Sequence, residues 1–183
     1  MSKAETLVRE GPTAIRKETG DMPMVVLYPR NRYRNAYLSR YLREPDSNLY
    51  YYALQTSDRN LRKFLHNLIS DLNASTTFGF GRNLQAALAS KGKAPALAEA
   101  LCADLNELNS EPFTLLLDQY DRLPEKDETK KFMEAVITNI PPQCQIIINA
   151  REQAYLPWFD LVSDKKASLL GAEYVPEETE PPA

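Results

Sequence analysis

The amino-acid sequence predicts an α/β domain of three layers, α/β/α, in which helices cover both faces of a largely parallel sheet of about five strands. Short, continuous apolar runs recur along the chain, and such runs are typical of strands buried on both faces. These runs alternate with segments whose apolar residues have helical spacing, as in βαβ units. The chain has 183 residues, of which 43% are hydrophobic, and this length supports one domain with a substantial core.

Both ends of the chain differ in composition from its middle. Residues 1–22 mix acidic and basic side chains with few large apolar groups, which predicts a tail or a short docking segment outside the core. Residues 176–183 are acidic and rich in proline. Such a segment buries too little apolar surface to offset the entropy lost on ordering, so we expect a disordered tail. The folded domain is therefore expected to span residues 23–175.

The first predicted strand is the apolar run at residues 24–28, which Pro29 ends. Tyrosine and leucine side chains then recur with helical spacing over residues 33–42, which predicts a helix that continues to about residue 43. Together these two elements begin the first βα unit.

The second βα unit has the clearest helix of the chain. Residues 49–54 are rich in tyrosine and predict a strand, and Ser57 or Asp58 is expected to cap the helix that follows. In that helix, apolar residues recur at i, i+3, i+4, i+7, i+8 and i+11 over residues 61–72, which is the pattern of a helix packed on a sheet. A short helix is predicted around residues 84–88.

The remaining elements alternate in the same way. Pro95 is expected to open a helix with a leucine face, and residues 113–117 form an apolar run that predicts a central strand. Asp127 begins the next predicted helix, and residues 144–148 and 167–170 are the last predicted strands.

Composition argues against several classes of site. His66 is the only histidine, and Cys102 and Cys144 lie far apart in sequence. The usual zinc, haem and iron–sulfur ligand sets and the usual Ser/His/Asp or Cys/His nucleophiles are therefore not expected, and no metal is predicted. The net charge of −3 argues against general nucleic-acid binding. The sequence lacks both an apolar run of about 18 residues and a signal-peptide core, so we expect a cytoplasmic protein that does not contact membranes.

Polar residues follow three of the predicted strands. They are residues 29–35, the pair Asp118 and Gln119, and residues 149–151. Ligands of doubly wound sheets bind outside the carboxyl ends of the strands, so these segments are the candidate site.

Residues 113–123 consist of an apolar strand followed by Asp118, Gln119, a tyrosine, an aspartate, an arginine and a leucine. This segment resembles the Walker B segment of the signal-transduction ATPases with numerous domains (STAND), in the branch of the maltose-regulon activator. Residues 141–151 resemble the next strand of that family, and residues 49–72 resemble its second strand and helix. The resemblance covers residues 24–171 and implies a P-loop-NTPase-like (ASCE) core without the lid, sensor and DNA-binding domains of the family.

The phosphate-binding motif of such proteins is absent from the sequence. A P-loop requires GxxxxGK[ST], because glycines admit the phosphates, the lysine neutralises them and the hydroxyl holds Mg²⁺. The only Gly-Lys pair, Gly92 and Lys93, is followed by Ala94. The chain is therefore expected to be a degenerate member of the fold.

The resemblance assigns nucleotide-site positions to individual residues. It places Tyr33 at a required glycine, Arg34 at the lysine and Asn35 at the hydroxyl, with Arg32 beside them in the loop. Asp118 matches the Mg²⁺-associated carboxylate and Gln119 replaces the second acid, which glutamine cannot imitate because it accepts no proton. Arg151 matches the arginine that senses the terminal phosphate. Without the resemblance, Asp118 is an ordinary turn or cap residue and Arg151 the partner of a neighbouring carboxylate.

Three arginines, Arg30, Arg32 and Arg34, surround the predicted start of a helix. Positive charge there is unfavourable because the helix dipole is already positive at its N-terminus. Their clustering therefore indicates a bound anion or an acidic partner surface. The alternative interpretation is a solvated helix face.

Three functions remain for this sequence. The first is a catalytically inactive STAND-like domain that uses no cofactor and binds a protein partner, a larger complex or a second copy of itself. The second is a nucleotide sensor that binds Mg-ATP or ADP weakly through Arg34, Asp118 and Arg151. The third is binding of single-stranded nucleic acid by the arginines and tyrosines of residues 30–43, which the acidic net charge disfavours.

Overall fold

The computed structural model describes residues 17, 19–20, 22–27, 48–76, 79–124, 126–150 and 161–170. Their strands are β1 (Met24–Leu27), β2 (Leu49–Ala53), β3 (Phe113–Asp118), β4 (Cys144–Asn149) and β5 (Ala167–Leu170). Their main helices are α1 (Leu61–Ser75), α2 (Arg82–Ala89), α3 (Ala94–Leu108) and α4 (Asp127–Asn139), and a 3-10 turn covers Tyr120–Arg122. Each strand lies where the apolar runs predict it.

The five strands form one sheet in the order β2-β3-β4-β1-β5, and every pair of neighbours is parallel. The predicted α/β class with a parallel sheet is confirmed. One strand, β4, separates β1 from β3, so the two strands that resemble the phosphate-loop strand and the Walker B strand are not neighbours.

The core lies on both faces of the central strands. Every residue of β3 and β4 is buried, which requires both faces of these strands to be covered. The apolar face of α1, from Leu61 to Leu72, is buried as its periodicity predicts. Helices therefore pack around the sheet in the expected layered architecture.

The cap of α1 differs from the prediction. Asn60, not Ser57 or Asp58, caps the helix, since its side chain accepts a hydrogen bond from the backbone N–H of Lys63 at 2.9 Å. Asp58 instead points inward, is 1% exposed and accepts from the Tyr52 hydroxyl at 2.8 Å. It closes the turn between β2 and α1, so a buried partner outcompetes the helix end for this carboxylate.

The helices α2 and α3 are joined through a buried carboxylate. Asp104 of α3 accepts from the backbone N–H groups of Asn83 and Leu84, at 2.9 and 2.8 Å, in the first turn of α2. The residue before that turn, Gly81, has φ 92° and provides no side-chain cap. Asp104 therefore supplies from a neighbouring helix the cap that α2 lacks.

Several predictions fall outside the described residues. They are the helix up to residue 43, most of the tail at residues 1–22 and all of the tail at residues 176–183. The domain limits of 23 and 175 therefore stay predictions. Among the described residues, none of the helices has the length and apolar character needed to span a bilayer.

Candidate functional site

The topology of the sheet locates a crevice at the carboxyl ends of β1 and β4. The chain leaves β1 towards β2 on one side, whereas it leaves β4 towards β5 on the other side. Parallel sheets bind ligands beside two neighbouring strands whose following connections run in opposite directions. Of the candidate segments predicted from sequence, the described residues Asp118, Gln119 and Asn149 lie at this end of the sheet.

The register of the strands brings two polar residues together there. Asp118 ends β3 opposite Asn149, which ends β4, and Asn149 in turn lies opposite Leu27 of β1. Asp118 is 3% exposed and Asn149 is 2% exposed. Because both side chains are almost fully removed from water, each polar atom needs a partner within the protein or a bound molecule.

Three donors among the described residues form hydrogen bonds to the Asp118 carboxylate. The Tyr51 hydroxyl donates to Oδ2 at 2.9 Å, and Asn149 Nδ2 donates to Oδ1 at 2.8 Å. The backbone N–H of Gln119 also donates to Oδ1, at 2.7 Å. Asp118 therefore joins β2, β3 and β4 at the edge of the sheet where a nucleotide site would be expected.

Gln119 has a left-handed backbone conformation, with φ 56° and ψ 38°. For a residue with a Cβ atom this costs about 1 to 2 kcal/mol, and such strain is concentrated at functional sites and tight turns. Here it turns the chain from β3 into the 3-10 turn, where Arg122 Nη1 donates to the Leu54 carbonyl at 2.9 Å. Arg122 thus anchors the turn after β3 to the end of β2.

The side-chain oxygen of Asn149 differs from its Nδ2 in its hydrogen bonding. Its Oδ1 is buried and has no hydrogen-bond partner among the described residues. A buried acceptor in this state is matched by a water, a cation or a ligand donor. Phosphate oxygens are acceptors at neutral pH, so this atom favours a hydroxyl or N–H group over a phosphate.

Mg²⁺, which the resemblance implies together with ATP, fits these residues poorly. The described residues contain no group of three or more His, Cys, Asp or Glu side chains placed to hold a metal ion. Asn149 Oδ1 is a suitable oxygen ligand, but both oxygens of Asp118 already accept hydrogen bonds from the chain. A cation at Asp118 would compete with these donors for the carboxylate oxygens.

Sequence reasoning anticipated only part of this site. Asp118 ends β3 and Gln119 follows it, and Asn149 belongs to the candidate segment 149–151 but had no role assigned to it, whereas Tyr51 was not among the predicted site residues. The sequence pointed to Asn149, because it is a polar residue at the end of an apolar strand, as Asp118 is. It did not point to Tyr51, since this residue lies in a run of three tyrosines and nothing in the run distinguishes the one whose hydroxyl contacts Asp118.

The other predicted site residues lie outside the described residues. They are Arg30, Arg32, Tyr33, Arg34, Asn35 and Arg151. Their assignment to a nucleotide site or to an anion or partner surface stays a prediction.

Comparison with known proteins bears on the fold. No protein-family model and no curated protein matches the chain. A chain in the structure of Drosophila ORC bound to AT-rich DNA and Cdc6 is similar, with a TM-score of 0.51 and 9% sequence identity over 92% of the present chain. The match spans 56% of that Drosophila chain. With the parallel order β2-β3-β4-β1-β5, this likeness supports one conclusion, that the domain has a P-loop-NTPase-like fold.

Proposed function

We propose that this domain is a catalytically inactive, STAND-like NTPase domain that serves as a protein-interaction, assembly or regulatory module. Its partner would be another protein, a larger complex or a second copy of the chain. It would need no cofactor.

The observation that carries the proposal is the state of Asp118. In an active site of this fold, the resemblance gives this carboxylate to Mg²⁺. Here it accepts hydrogen bonds from Tyr51, Gln119 and Asn149 instead. A carboxylate with three protein donors contributes to the stability of the sheet edge and is costly to recruit for metal binding.

Two features of the sequence support the same proposal. Gln119 stands at the position of the second acid and accepts no proton from an attacking water. The sequence has no GxxxxGK[ST] motif, so the backbone cradle and the lysine that neutralise the phosphates are missing. The loss of phosphate binding and the loss of a base are independent changes, and both disfavour turnover.

A thermal melt with and without nucleotide tests the proposal. Purified protein is heated alone, with millimolar Mg-ATP and with millimolar Mg-ADP, and phosphate release is followed in parallel. We expect an unchanged midpoint and no steady release. A ligand present at 100 times its dissociation constant would stabilise by about 2.7 kcal/mol, which corresponds to roughly 5 to 10 °C for a domain of this size. A shift of that order overturns the proposed lack of nucleotide binding, and steady release overturns inactivity.

The interaction role requires its own measurement. Sedimentation at concentrations from about 1 to 100 μM separates a monomer from a self-associating chain, because homodimers of ordinary interface size form in this range. Self-association would identify a second copy as the partner. A strict monomer would restrict the proposal to a different protein.

A weak nucleotide sensor is the second candidate, and one observation favours it. Asn149 Oδ1 is an unmatched buried acceptor at the crevice between β1 and β4, where the hydroxyl groups of a ribose would supply donors. If nucleotide raises the melting temperature, Asn149→Ala should remove the shift, whereas Asn139→Ala, an exposed asparagine at the end of α4, should retain it.

A further inference from the structure

Five basic side chains lie together on the rim of the domain beside the carboxyl end of β2. We call this surface the basic rim. It consists of Arg59, Arg62, Lys63, Lys91 and Lys93. Arg62 is half-buried and the other four are exposed.

A tertiary contact gathers these residues from two distant segments. Arg62 Nη2 in the first turn of α1 donates to the carbonyl of Gly92 at 2.6 Å. Gly92 lies in the turn between α2 and α3, and its own N–H donates to the Ala87 carbonyl at 2.8 Å. Lys91 and Lys93 flank Gly92, so the contact brings both lysines next to the start of α1.

No cation of the basic rim forms an ion pair with a carboxylate in the part of the chain that the structure describes. The ion pairs there are Arg82 with Glu107 and Lys166 with Asp164, neither of which belongs to the rim. The carboxylate nearest in sequence, Asp58, is buried and accepts hydrogen bonds from Tyr52, Gln55 and Asn67.

The helix dipoles add to this positive charge. The first turns of α1 and α3 contain no acidic residue, and α3 has no side-chain cap at Lys93. Both helix N-termini therefore contribute positive partial charge at the rim. Five cations held together in this field are stabilised by a polyanion from outside the domain.

The composition of the basic rim favours nucleic acid over an acidic protein as the polyanion. Its other exposed residues are Thr56, Ser57, Asn60 and Ser90. Protein interfaces are depleted in lysine and depend on aromatic anchors, and no aromatic residue lies among these positions. Arginine, lysine and short hydroxyl or amide side chains are instead the groups that contact nucleic-acid phosphates.

We propose that the basic rim binds the phosphodiester backbone of double-stranded nucleic acid without regard to base sequence. A duplex is favoured over a single strand because the rim offers no aromatic surface on which unpaired bases could stack. The rim consists of residues other than the arginines of residues 30–43, and the proposal does not depend on the absence of ATPase activity. The net charge of −3 implies weak binding that depends strongly on salt.

Fluorescence anisotropy with a labelled 20-bp DNA duplex tests the proposal. We expect a dissociation constant of about 1 to 100 μM at low salt, equal affinity for AT-rich and GC-rich duplexes, and a slope of log K against log salt of about −4 for four to five neutralised phosphates. The triple variant Lys63→Gln, Lys91→Gln and Lys93→Gln should weaken binding at least about tenfold and reduce the slope by about 3.

A matched control changes the same charge elsewhere. Lys126, Lys130 and Lys131 are exposed in or next to the first turns of α4, and their replacement by glutamine should leave affinity within about twofold if the rim is the binding surface. Equal losses in both triple variants would indicate a response to net charge and overturn the proposal, as would a lack of binding by the unmodified protein. Displacement of the duplex by poly-glutamate at equal charge concentration would instead identify an acidic protein segment as the partner. A circular-dichroism melt establishes that both variants are folded.

Discussion

Asn149 Nδ2 donates a hydrogen bond to Asp118 Oδ1 at 2.8 Å, between residues that end neighbouring strands and lie opposite each other in the parallel register. This relationship makes the candidate site part of the architecture of the sheet. A side chain that serves catalysis is often unsatisfied in the free protein, and its replacement then costs little stability. The contrary is expected for Asp118.

Asp118→Asn should lower the free energy of unfolding by about 1 to 3 kcal/mol. The new amide accepts through one oxygen only, so the group that replaces the other carboxylate oxygen can no longer accept from its present donor, and the remaining hydrogen bonds lose the assistance of the charge. Urea denaturation measures the change. Asp164→Asn, which removes only an exposed ion pair with Lys166, should change stability by less than about 0.5 kcal/mol. An Asp118→Asn protein as stable as the parent would show that the carboxylate is not a structural group.

Gly81→Ala should cost about 2 to 4 kcal/mol, because a Cβ atom there would lie 2.8 Å from both Cγ atoms of Ile69 on a backbone with φ 92°. Gly79→Ala is the matched control. It also has positive φ, 73°, but its nearest contact would be 3.9 Å away, at Asn73, so about 1 kcal/mol is expected. Equal costs for the two variants would exclude the contact with Ile69 as the cause.

Stability should decrease in alkaline solution because of Tyr52. Burial, and then the hydrogen bond to Asp58, raise the pKa of this phenol far above the value of about 10 that is usual for tyrosine. The folded protein therefore retains the proton more strongly than the unfolded chain, so the stabilisation is complete below pH 10 and is lost as the pH rises above it. Urea midpoints at pH 8, 9.5 and 11 measure this loss.

Tyr52→Phe should flatten the alkaline dependence, at a cost of about 1 kcal/mol at neutral pH for the lost hydrogen bond. Tyr50→Phe, which keeps the edge-to-face contact with Phe113 at 5.5 Å, should leave the dependence unchanged. An undiminished dependence in Tyr52→Phe would assign the alkaline loss to another group.

Both cysteines should be unreactive in the folded protein. Cys102 and Cys144 are buried, and burial raises the pKa of the Cys102 thiol to about 12. Little thiolate is then present at pH 8, and the reagent has no access. Titration with a chromogenic disulfide should detect no rapidly reacting thiol in buffer and two in denaturant. A rapid reaction in buffer would mean that α3 or β4 opens on that timescale.

The sequence predicted those strands and helices correctly whose position follows from the spacing of apolar residues alone. The five described strands and the long helix α1 follow from apolar runs and an apolar stripe, because burial on two faces or on one face leaves different patterns. The helix cap was predicted wrongly, since Asp58 and Asn60 are both good caps and only tertiary structure shows that Tyr52 and Asn67 bind the aspartate.

The location of the candidate site could be predicted from the sequence, but most of the contacts within it could not. Asp118 was identifiable as the polar end of a buried strand, whereas its contact with Tyr51 depends on a register between strands that lie more than 60 residues apart in the chain. The basic rim was invisible for the same reason. Arg62 and Gly92 meet only because α2 turns the chain back towards the start of α1.

The position of β1 in the sheet constrains the order in which the chain can fold. Of the five described strands it is the first to be synthesised, yet both of its neighbours, β4 and β5, come more than 110 residues later. Closing such long loops is slow and entropically costly. β2, β3 and β4 can pair as they emerge, so β1 must wait, unpaired, until β4 is made and then insert at its side. During synthesis the nascent chain therefore carries an unpaired apolar strand, and this interval is when the protein is most prone to aggregate.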